Sequence, residues 1–307
     1  MEKKAYIADF TLLLAAIIWG FAFAFQRQGM EYIGPFTYTA VRFLIGGITL
    51  LPFALIYAPL RGEQLSVKFL WPAVVLGLFL FFGAGTQQWA LVYSTEANVS
   101  FITGLYVVFV PLICWVLLKQ KVSKYVWIAS FIMLFGMFLM TFFAAPPEMI
   151  SGKEHFRAWG DILAVICAIF WSGHIIWISI YSNRIPPLWL ATIQYFVCGF
   201  LALIVAVIFE DISLKALWDA RIALAYGTFM SVCVAYTLQI IAQKNAPVTH
   251  ATLILALESV FGALGGWLIN GQQMTLFAIF GAAFMFGGTL IAEFSDYFVK
   301  KNPRKSY

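Results

Sequence analysis

Three polar side chains of this sequence lie inside long apolar stretches, where each could carry chemistry. They are Arg42, His174 and Glu258. In hydrocarbon surroundings a charged side chain costs about 2.5–3.5 kcal/mol or more, so such residues usually mark an ion or substrate pathway. Burial favours the uncharged form of a carboxyl group, and Glu258 is therefore predicted to couple proton movement to function. Arg42 is predicted to bind an anionic group and His174 to hydrogen-bond a solute.

Each of these residues also has a structural interpretation that the sequence leaves open. Arg42 could extend to the membrane interface or bond a backbone carbonyl. His174 could be a hydrogen-bonded histidine between two helices, and Glu258 could bond a neighbouring helix.

The other candidate site residues belong to pairs that are 152 positions apart. The pairs are Trp19 with Trp171, Gln87 with Gln239, and Tyr106 with Glu258. Both tryptophans fall in the middle of their apolar stretches, where an interfacial role does not explain them, and they could form the wall of a cavity for flat or amphipathic solutes. Packing alone is the alternative. The glutamines could orient a solute or act as hydrogen-bonding gates. We predict these residues, with Arg42 and His174, as substrate-binding and Glu258 as the proton-coupling site.

No catalytic or cofactor motif accompanies these residues. The chain has no HExxH, GxSxG or Walker A sequence, so neither enzymatic activity nor direct use of ATP is predicted. Its four cysteines lie in apolar stretches without CxxC spacing, which predicts small buried side chains and no metal or disulfide. They are Cys114, Cys167, Cys198 and Cys233. No cofactor is predicted.

The composition of the chain predicts which secondary-structure elements hold the candidate residues. Of 307 residues, 63% are hydrophobic and 11% are charged, and a soluble domain of this size could not bury that much apolar surface. A bilayer core needs about 20 apolar residues per helix. Ten stretches meet this length, and none alternates as the strands of a membrane barrel would. The predicted spans are 8–29, 36–59, 69–92, 97–118, 125–143, 159–182, 188–209, 219–242, 249–269 and 275–295.

The 152-residue offset relates the first five spans to the last five without a net gap. Because five is odd, the second copy enters the membrane from the opposite side. We therefore predict an all-α integral membrane protein of ten transmembrane helices, arranged as two inverted five-helix repeats. The predicted units are a first repeat at 8–143, a connecting loop at 144–158, a second repeat at 159–295 and a basic cytoplasmic tail at 296–307.

The distribution of basic residues predicts the orientation. With a cytoplasmic N-terminus, thirteen of the 19 lysines and arginines fall on inner segments. Five fall on outer segments: Arg27, Lys153, Arg157, Lys215 and Arg221. The positive-inside rule then places both termini in the cytoplasm of a multi-pass protein of the cell membrane. The net charge of +5 is explained by this topology, and no nucleic-acid partner is predicted.

The chain also resembles the EamA-type members of the drug/metabolite transporter superfamily over roughly residues 8–295. The matching motifs are Ile18-Trp19-Gly20, Pro35-Phe36 with Arg42-Phe43, Asn98 to Pro111, and Leu257-Glu258-Ser259 followed by Gly266-Trp267. The sequence departs from the family pattern at Gln120 and Gln272, where a glutamate is usual, and at Ser259, where proline is common.

The resemblance implies a permease with two EamA domains that moves small organic metabolites or drugs by export. Alternating access is predicted from the inverted repeat itself. An amino acid, a nucleobase-like metabolite or an amphipathic solute would suit the aromatic interior, with protons as coupling ion. The alternatives are an intramembrane enzyme acting on lipid-linked groups and a membrane scaffold without transport activity. Substrate identity and oligomeric state stay open.

Overall fold

Helices form all the regular structure within the described residues of the computed structural model, which are 2–63, 65–94, 96–143, 157–271 and 273–301. The first half contains α1 (Glu2–Gly29), α2 (Pro35–Leu60), α3 (Leu70–Tyr93), α4a (Glu96–Thr103), α4b (Tyr106–Val116) and α5 (Lys124–Phe142). The second half contains α6 (Arg157–Tyr181), α7 (Pro187–Phe209), α8 (Arg221–Ala242), α9a (Val248–Leu255), α9b (Glu258–Asn270) and α10 (Leu276–Lys301).

In the part of the chain that is described, nine helical segments are long and apolar enough to cross a membrane. The tenth, within α10, is a shorter apolar stretch, Leu276–Ala292. Large hydrophobic side chains remain exposed along these helices, such as Ile204 (57%), Val207 (66%) and Phe209 (78%) on α7. Such surfaces are stable only against lipid, and the predicted all-helical membrane fold is confirmed.

The two halves begin and break their helices at equivalent positions. Pro35 and Pro187 occupy the first turn of α2 and α7, where the missing N–H needs no partner. The fourth and ninth spans are each interrupted near the middle, between Thr103 and Tyr106 and between Leu255 and Glu258. These breaks are 152 residues apart, although the sequence predicted two continuous spans.

The backbone hydrogen bonds of the two breaks also match one for one. Leu105 N–H donates to Ile102 O (3.1 Å), and its counterpart Leu257 N–H donates to Ile254 O (3.1 Å). These bonds join residues three apart instead of four, which tightens the chain locally before the next half-helix begins. The local structure of the break is therefore a property of the repeat.

Helix packing follows the same symmetry. The most extensive contacts join the equivalent helices α2 and α7, and the equivalent helices α5 and α10. Helix α3 packs on α6, and their counterparts α8 and α1 pack on each other in the same way. The half-helices α4a and α4b likewise pack on α6, as their counterparts α9a and α9b pack on α1. Each helix and its counterpart are five spans apart along the chain, and because five is odd they cross the membrane in opposite directions. The halves are therefore related by a two-fold pseudo-axis in the membrane plane.

One close helix contact depends on a glycine. A Cβ atom on Gly20 of α1 would overlap Cβ of Phe261 and lie 2.7 Å from the carbonyl oxygen of Glu258 on α9b. The absence of a side chain therefore lets α1 approach the backbone of α9b at the level of the break.

Two predicted units fall partly outside the described residues. Positions 144–156 of the connecting loop are not described, and Arg157 and Ala158 already belong to α6. Of the predicted tail, 302–307 are not described, whereas α10 continues to Lys301 and so extends beyond the predicted end of the tenth span at 295. Gln272 also lies outside the described part.

Candidate functional site

A cavity lies between the two halves, at the level of the helix breaks. In this structure its volume is about 30 Å³, room for about two water molecules, so a larger solute requires the wall residues to move apart. Six of the eight residues predicted as site residues line it, and six further residues complete the wall. The lining residues are Trp19, Phe23, Gln26, Gln87, Tyr106, Trp171, Ile175, Ser231, Tyr236, Gln239, Leu255 and Glu258.

Four pairs of repeat-equivalent residues form most of this wall. Each pair contributes one residue from each half, at positions 152 apart. The pairs are Trp19 with Trp171, Phe23 with Ile175, Gln87 with Gln239, and Tyr106 with Glu258. A wall made of such pairs must surround the pseudo-axis, because the two-fold operation exchanges the members of each pair. The cavity is therefore centred on the axis that relates the repeats.

Tyr106 and Glu258 meet directly across that axis. The Tyr106 hydroxyl donates to Oε1 of Glu258 at 3.0 Å. Each is the first residue of its half-helix, α4b or α9b, and the positive end of the α9b dipole favours the carboxylate of Glu258. Tyr106 is 3% exposed and Glu258 is partly exposed, toward the cavity that it lines. A carboxylate is thus available to a solute at the centre of the protein.

Three aromatic rings that contact one another line the cavity together with this carboxylate. The ring of Tyr236 lies 4.6 Å from that of Trp19, centroid to centroid, and 5.8 Å from that of Trp171, to which it is nearly parallel at 15°. The Trp19 indole N–H donates to the carbonyl oxygen of Ser231 at 3.4 Å. Ser231 and Tyr236 belong to the stretch Tyr226–Tyr236 of α8, which has the wider hydrogen bonding of a π-helix, a geometry frequent at functional sites.

Two polar atoms of the wall lack a hydrogen-bond partner among the described residues. They are Oε1 of Gln26 and Oε1 of Gln239. The indole N–H of Trp171 interacts with Cys167. Gln26 is 5% exposed, Gln239 1% and Trp171 9%. A buried polar group without a partner costs about 1–3 kcal/mol, so a bound molecule that supplies the missing hydrogen bonds would be favoured here.

Arg42 and His174, the other two predicted site residues, do not line the cavity. Arg42 is 1% exposed, and its guanidinium carbon lies 5.2 Å from the ring centroid of Tyr38 and 5.0 Å from that of Phe43. His174 is fully buried and its Nε2 lies 3.0 Å from Oε1 of Gln194. Its ring meets Trp171 edge-on at 5.3 Å, so it supports the wall from behind.

The residues that sequence reasoning missed have a signal in helix periodicity. Phe23 and Gln26 follow Trp19 by four and seven positions, and Tyr236 precedes Gln239 by three. These spacings place side chains on one helix face. Extending each candidate along its own face would have included Phe23, Gln26 and Tyr236.

Fold and cavity together define an integral membrane protein of two inverted repeats around a central cavity. The chain belongs to the EamA-like transporter family. The model of that family matches it twice, over residues 6–142 and 158–294. Both ends of the second match lie 152 positions after those of the first, which is the offset that the sequence and the helix breaks show.

Relatives from archaea and bacteria are similar over most of the chain. An uncharacterized transporter of Archaeoglobus fulgidus is 31% identical, with 91% of this chain and 83% of the relative covered. The uncharacterized inner membrane transporter YedA of Escherichia coli K12 is 26% identical over 84% and 81% of the two chains. One solved crystal structure superposes with a TM-score of 0.76 at 20% identity, covering 94% of this chain and 96% of that one, which shows the shared fold.

Proposed function

We propose that this transporter is a secondary carrier that moves a small organic solute by alternating access, with the central cavity as its solute site. The observation that carries the proposal is the construction of the cavity wall from four repeat-equivalent pairs. In an inverted-repeat carrier, exchanging the conformations of the two halves turns an inward-open site into an outward-open one. A site on the pseudo-axis keeps the same residues in both states.

The symmetry separates constant contacts from changing ones. The Tyr106–Glu258 hydrogen bond joins equivalent residues, so the exchange of halves maps it onto itself. The Trp19–Tyr236 contact joins non-equivalent residues, and the exchange replaces it with Trp171 against Ala84. We infer that the contacts between aromatic rings change during transport, whereas the Tyr106–Glu258 hydrogen bond is kept.

Glu258 is proposed as the proton-coupling group. The titratable groups facing it are Tyr106 of α4b, Cys167 of α6 and Tyr236 of α8. From α1 the cavity receives Trp19, Phe23 and Gln26, which do not titrate. A carboxylate with such neighbours changes the charge of the cavity whenever it takes up or releases a proton, which is what coupling requires.

The membrane orientation, the direction of transport and the solute classes are proposed from the sequence. The distribution of basic residues supports cytoplasmic termini in the cell membrane, and the family resemblance supports export. The aromatic, sparsely charged interior suits an amino acid, a nucleobase-like metabolite or an amphipathic solute. An intramembrane enzyme acting on lipid-linked groups would need a cluster of titratable residues at one membrane face, whereas Glu258 and the titratable groups that face it lie around the central cavity. A scaffold would need no cavity walled by repeat-equivalent pairs on the pseudo-axis.

Exchange in proteoliposomes tests the proposal. The purified carrier, loaded with an unlabelled solute of these classes, should accumulate the labelled solute by counterflow, and an imposed proton gradient should drive uphill accumulation. Glu258→Gln keeps the size of the side chain and removes its titration, so we expect proton-driven accumulation to fall at least tenfold.

Glu31→Gln is the matched control, because Glu31 is an exposed carboxylate outside the cavity, and it should match the wild type. Wild-type, proton-driven accumulation in Glu258→Gln would contradict the coupling role. Absence of counterflow for every solute class would contradict carrier function.

A further inference from the structure

We propose that the central cavity binds a protonated amine, an organic ammonium ion whose N–H groups donate to Glu258, Gln26 and Gln239. Its apolar part packs against the rings of Trp19, Trp171 and Tyr236 when these rings move apart during transport. This inference rests on the proposed carrier function and names the chemical class of its solute.

The charge of the wall favours a cation. Among the twelve lining residues, Glu258 is the one charged side chain, and no lysine or arginine lines the cavity within the described part of the chain. Arg42 does not line the cavity; its guanidinium lies near the rings of Tyr38 and Phe43, and its charge acts on Tyr236 from behind the wall. A carboxylate in an apolar enclosure is stabilised by a positive partner, and a cationic solute supplies one. An anionic solute would add a second negative charge.

The hydrogen-bonding capacity of the wall also favours a donor. Oε1 of Gln26 and Oε1 of Gln239 are buried acceptors without a partner among the described residues. Tyr106 bonds only Oε1 of Glu258, which leaves the second carboxylate oxygen for a solute. A primary ammonium group has three N–H donors, and it can satisfy the two amide oxygens and the carboxylate together. A neutral alcohol offers one donor and leaves the negative charge unbalanced.

The aromatic rings complete the match to an ammonium ion. Trp19, Trp171 and Tyr236 line the same cavity as Glu258. The centroids of the two tryptophan rings lie 4.6 and 5.8 Å from that of Tyr236, so the rings contact one another and a solute packs against this group of rings. Aromatic faces attract cations through the ring quadrupole, most strongly for tryptophan. The same rings provide apolar contact for an aryl or alkyl substituent. Selectivity for amines over their neutral analogues therefore follows from charge, donors and rings together.

Binding of three probes of similar shape tests the proposal. Purified full-length carrier in detergent is dialysed to equilibrium against labelled 2-phenylethylamine, 2-phenylethanol or 3-phenylpropanoate at pH 7.5, where the amine is protonated and the acid is ionised. We expect the amine to bind saturably and at least tenfold more tightly than the alcohol, with the carboxylate weakest. Glu258→Gln should weaken amine binding at least tenfold and bring amine and alcohol affinities close together, while Glu31→Gln should leave both unchanged. Thermal unfolding of each variant shows that it is folded.

Equal affinity for the amine and the alcohol, tighter binding of 3-phenylpropanoate, or unchanged amine affinity in Glu258→Gln would overturn the proposal. Counterflow measurements distinguish failure of the ammonium proposal from failure of the proposed carrier function. If neutral or anionic solutes exchange while 2-phenylethylamine neither binds nor exchanges, the ammonium class is wrong and the carrier function stands. If no solute of any charge exchanges, the proposed function fails as well.

Discussion

At the scale of single residues, the structure distinguishes side chains for which the sequence predicted the same role, because some line the cavity and others lie behind its wall. Trp171 and His174 lie one helical turn apart on α6, and both were predicted to contact a solute. Trp171 lines the cavity, whereas His174 bonds Gln194 behind it. The two side chains are therefore expected to differ in function despite their proximity.

Paired substitutions at these two positions measure the difference. Trp171→Ala removes a cavity ring, and we expect the apparent KM of exchange to rise at least tenfold, equivalent to about 1.4 kcal/mol of binding. His174→Gln should keep KM within twofold and lower thermal stability instead, because the bond to the Gln194 carboxamide is weakened while the wall keeps its residues. The measurements are solute-concentration series in proteoliposomes and thermal unfolding in detergent. A tenfold KM effect in His174→Gln, with none in Trp171→Ala, would reverse these assignments.

At the scale of helices, the paired breaks in the fourth and ninth spans place the site. Each break ends one half-helix and starts the next at Tyr106 or Glu258, so the start of both half-helices points to the pseudo-axis. Gly20 lets α1 lie against the α9 break. Close backbone packing at this level holds the wall on the α1 side of the cavity.

A methyl group at Gly20 tests that packing. Gly20→Ala places a Cβ atom against Phe261 and the backbone of Glu258, and overpacking of this kind costs about 1–3 kcal/mol. We expect a clear loss of thermal stability in detergent. Gly287→Ala is the control, because a Cβ atom on Gly287 of α10 would meet nothing within 4 Å, and alanine is the better helix former. Equal stability of the two variants would show that α1 and α9 adjust freely.

At the scale of the whole molecule, the inverted repeat requires equivalent loops of the two halves to lie on opposite sides of the membrane. The orientation itself is predicted from the basic residues. Single cysteines introduced at exposed loop positions, in a variant whose native cysteines are replaced, test it with a membrane-impermeant maleimide in intact cells. Asp211→Cys, between α7 and α8, should be labelled from outside, and Arg61→Cys, between α2 and α3, only after permeabilisation. The reverse pattern would place both termini outside the cell.

The sequence by itself determined the class of fold, because span length and the 152-residue offset are properties of the chain that need no knowledge of contacts. The same offset identified Trp19, Trp171, Gln87, Gln239 and the Tyr106–Glu258 pair, which the structure brings to one cavity. Their roles in transport stay predictions.

Only the tertiary structure decided which face of each helix meets the cavity. In a membrane protein, lipid-facing and interior-facing positions are both apolar, so hydrophobic periodicity does not mark the inner face as it does in a soluble helix. For that reason polarity alone suggested Arg42 and His174, which pack outside the wall, and gave no weight to Phe23 or Tyr236, which form it. Apolar composition likewise does not reveal the helix breaks, because the predicted spans 97–118 and 249–269 are apolar on both sides of the breaks at Thr103–Tyr106 and Leu255–Glu258.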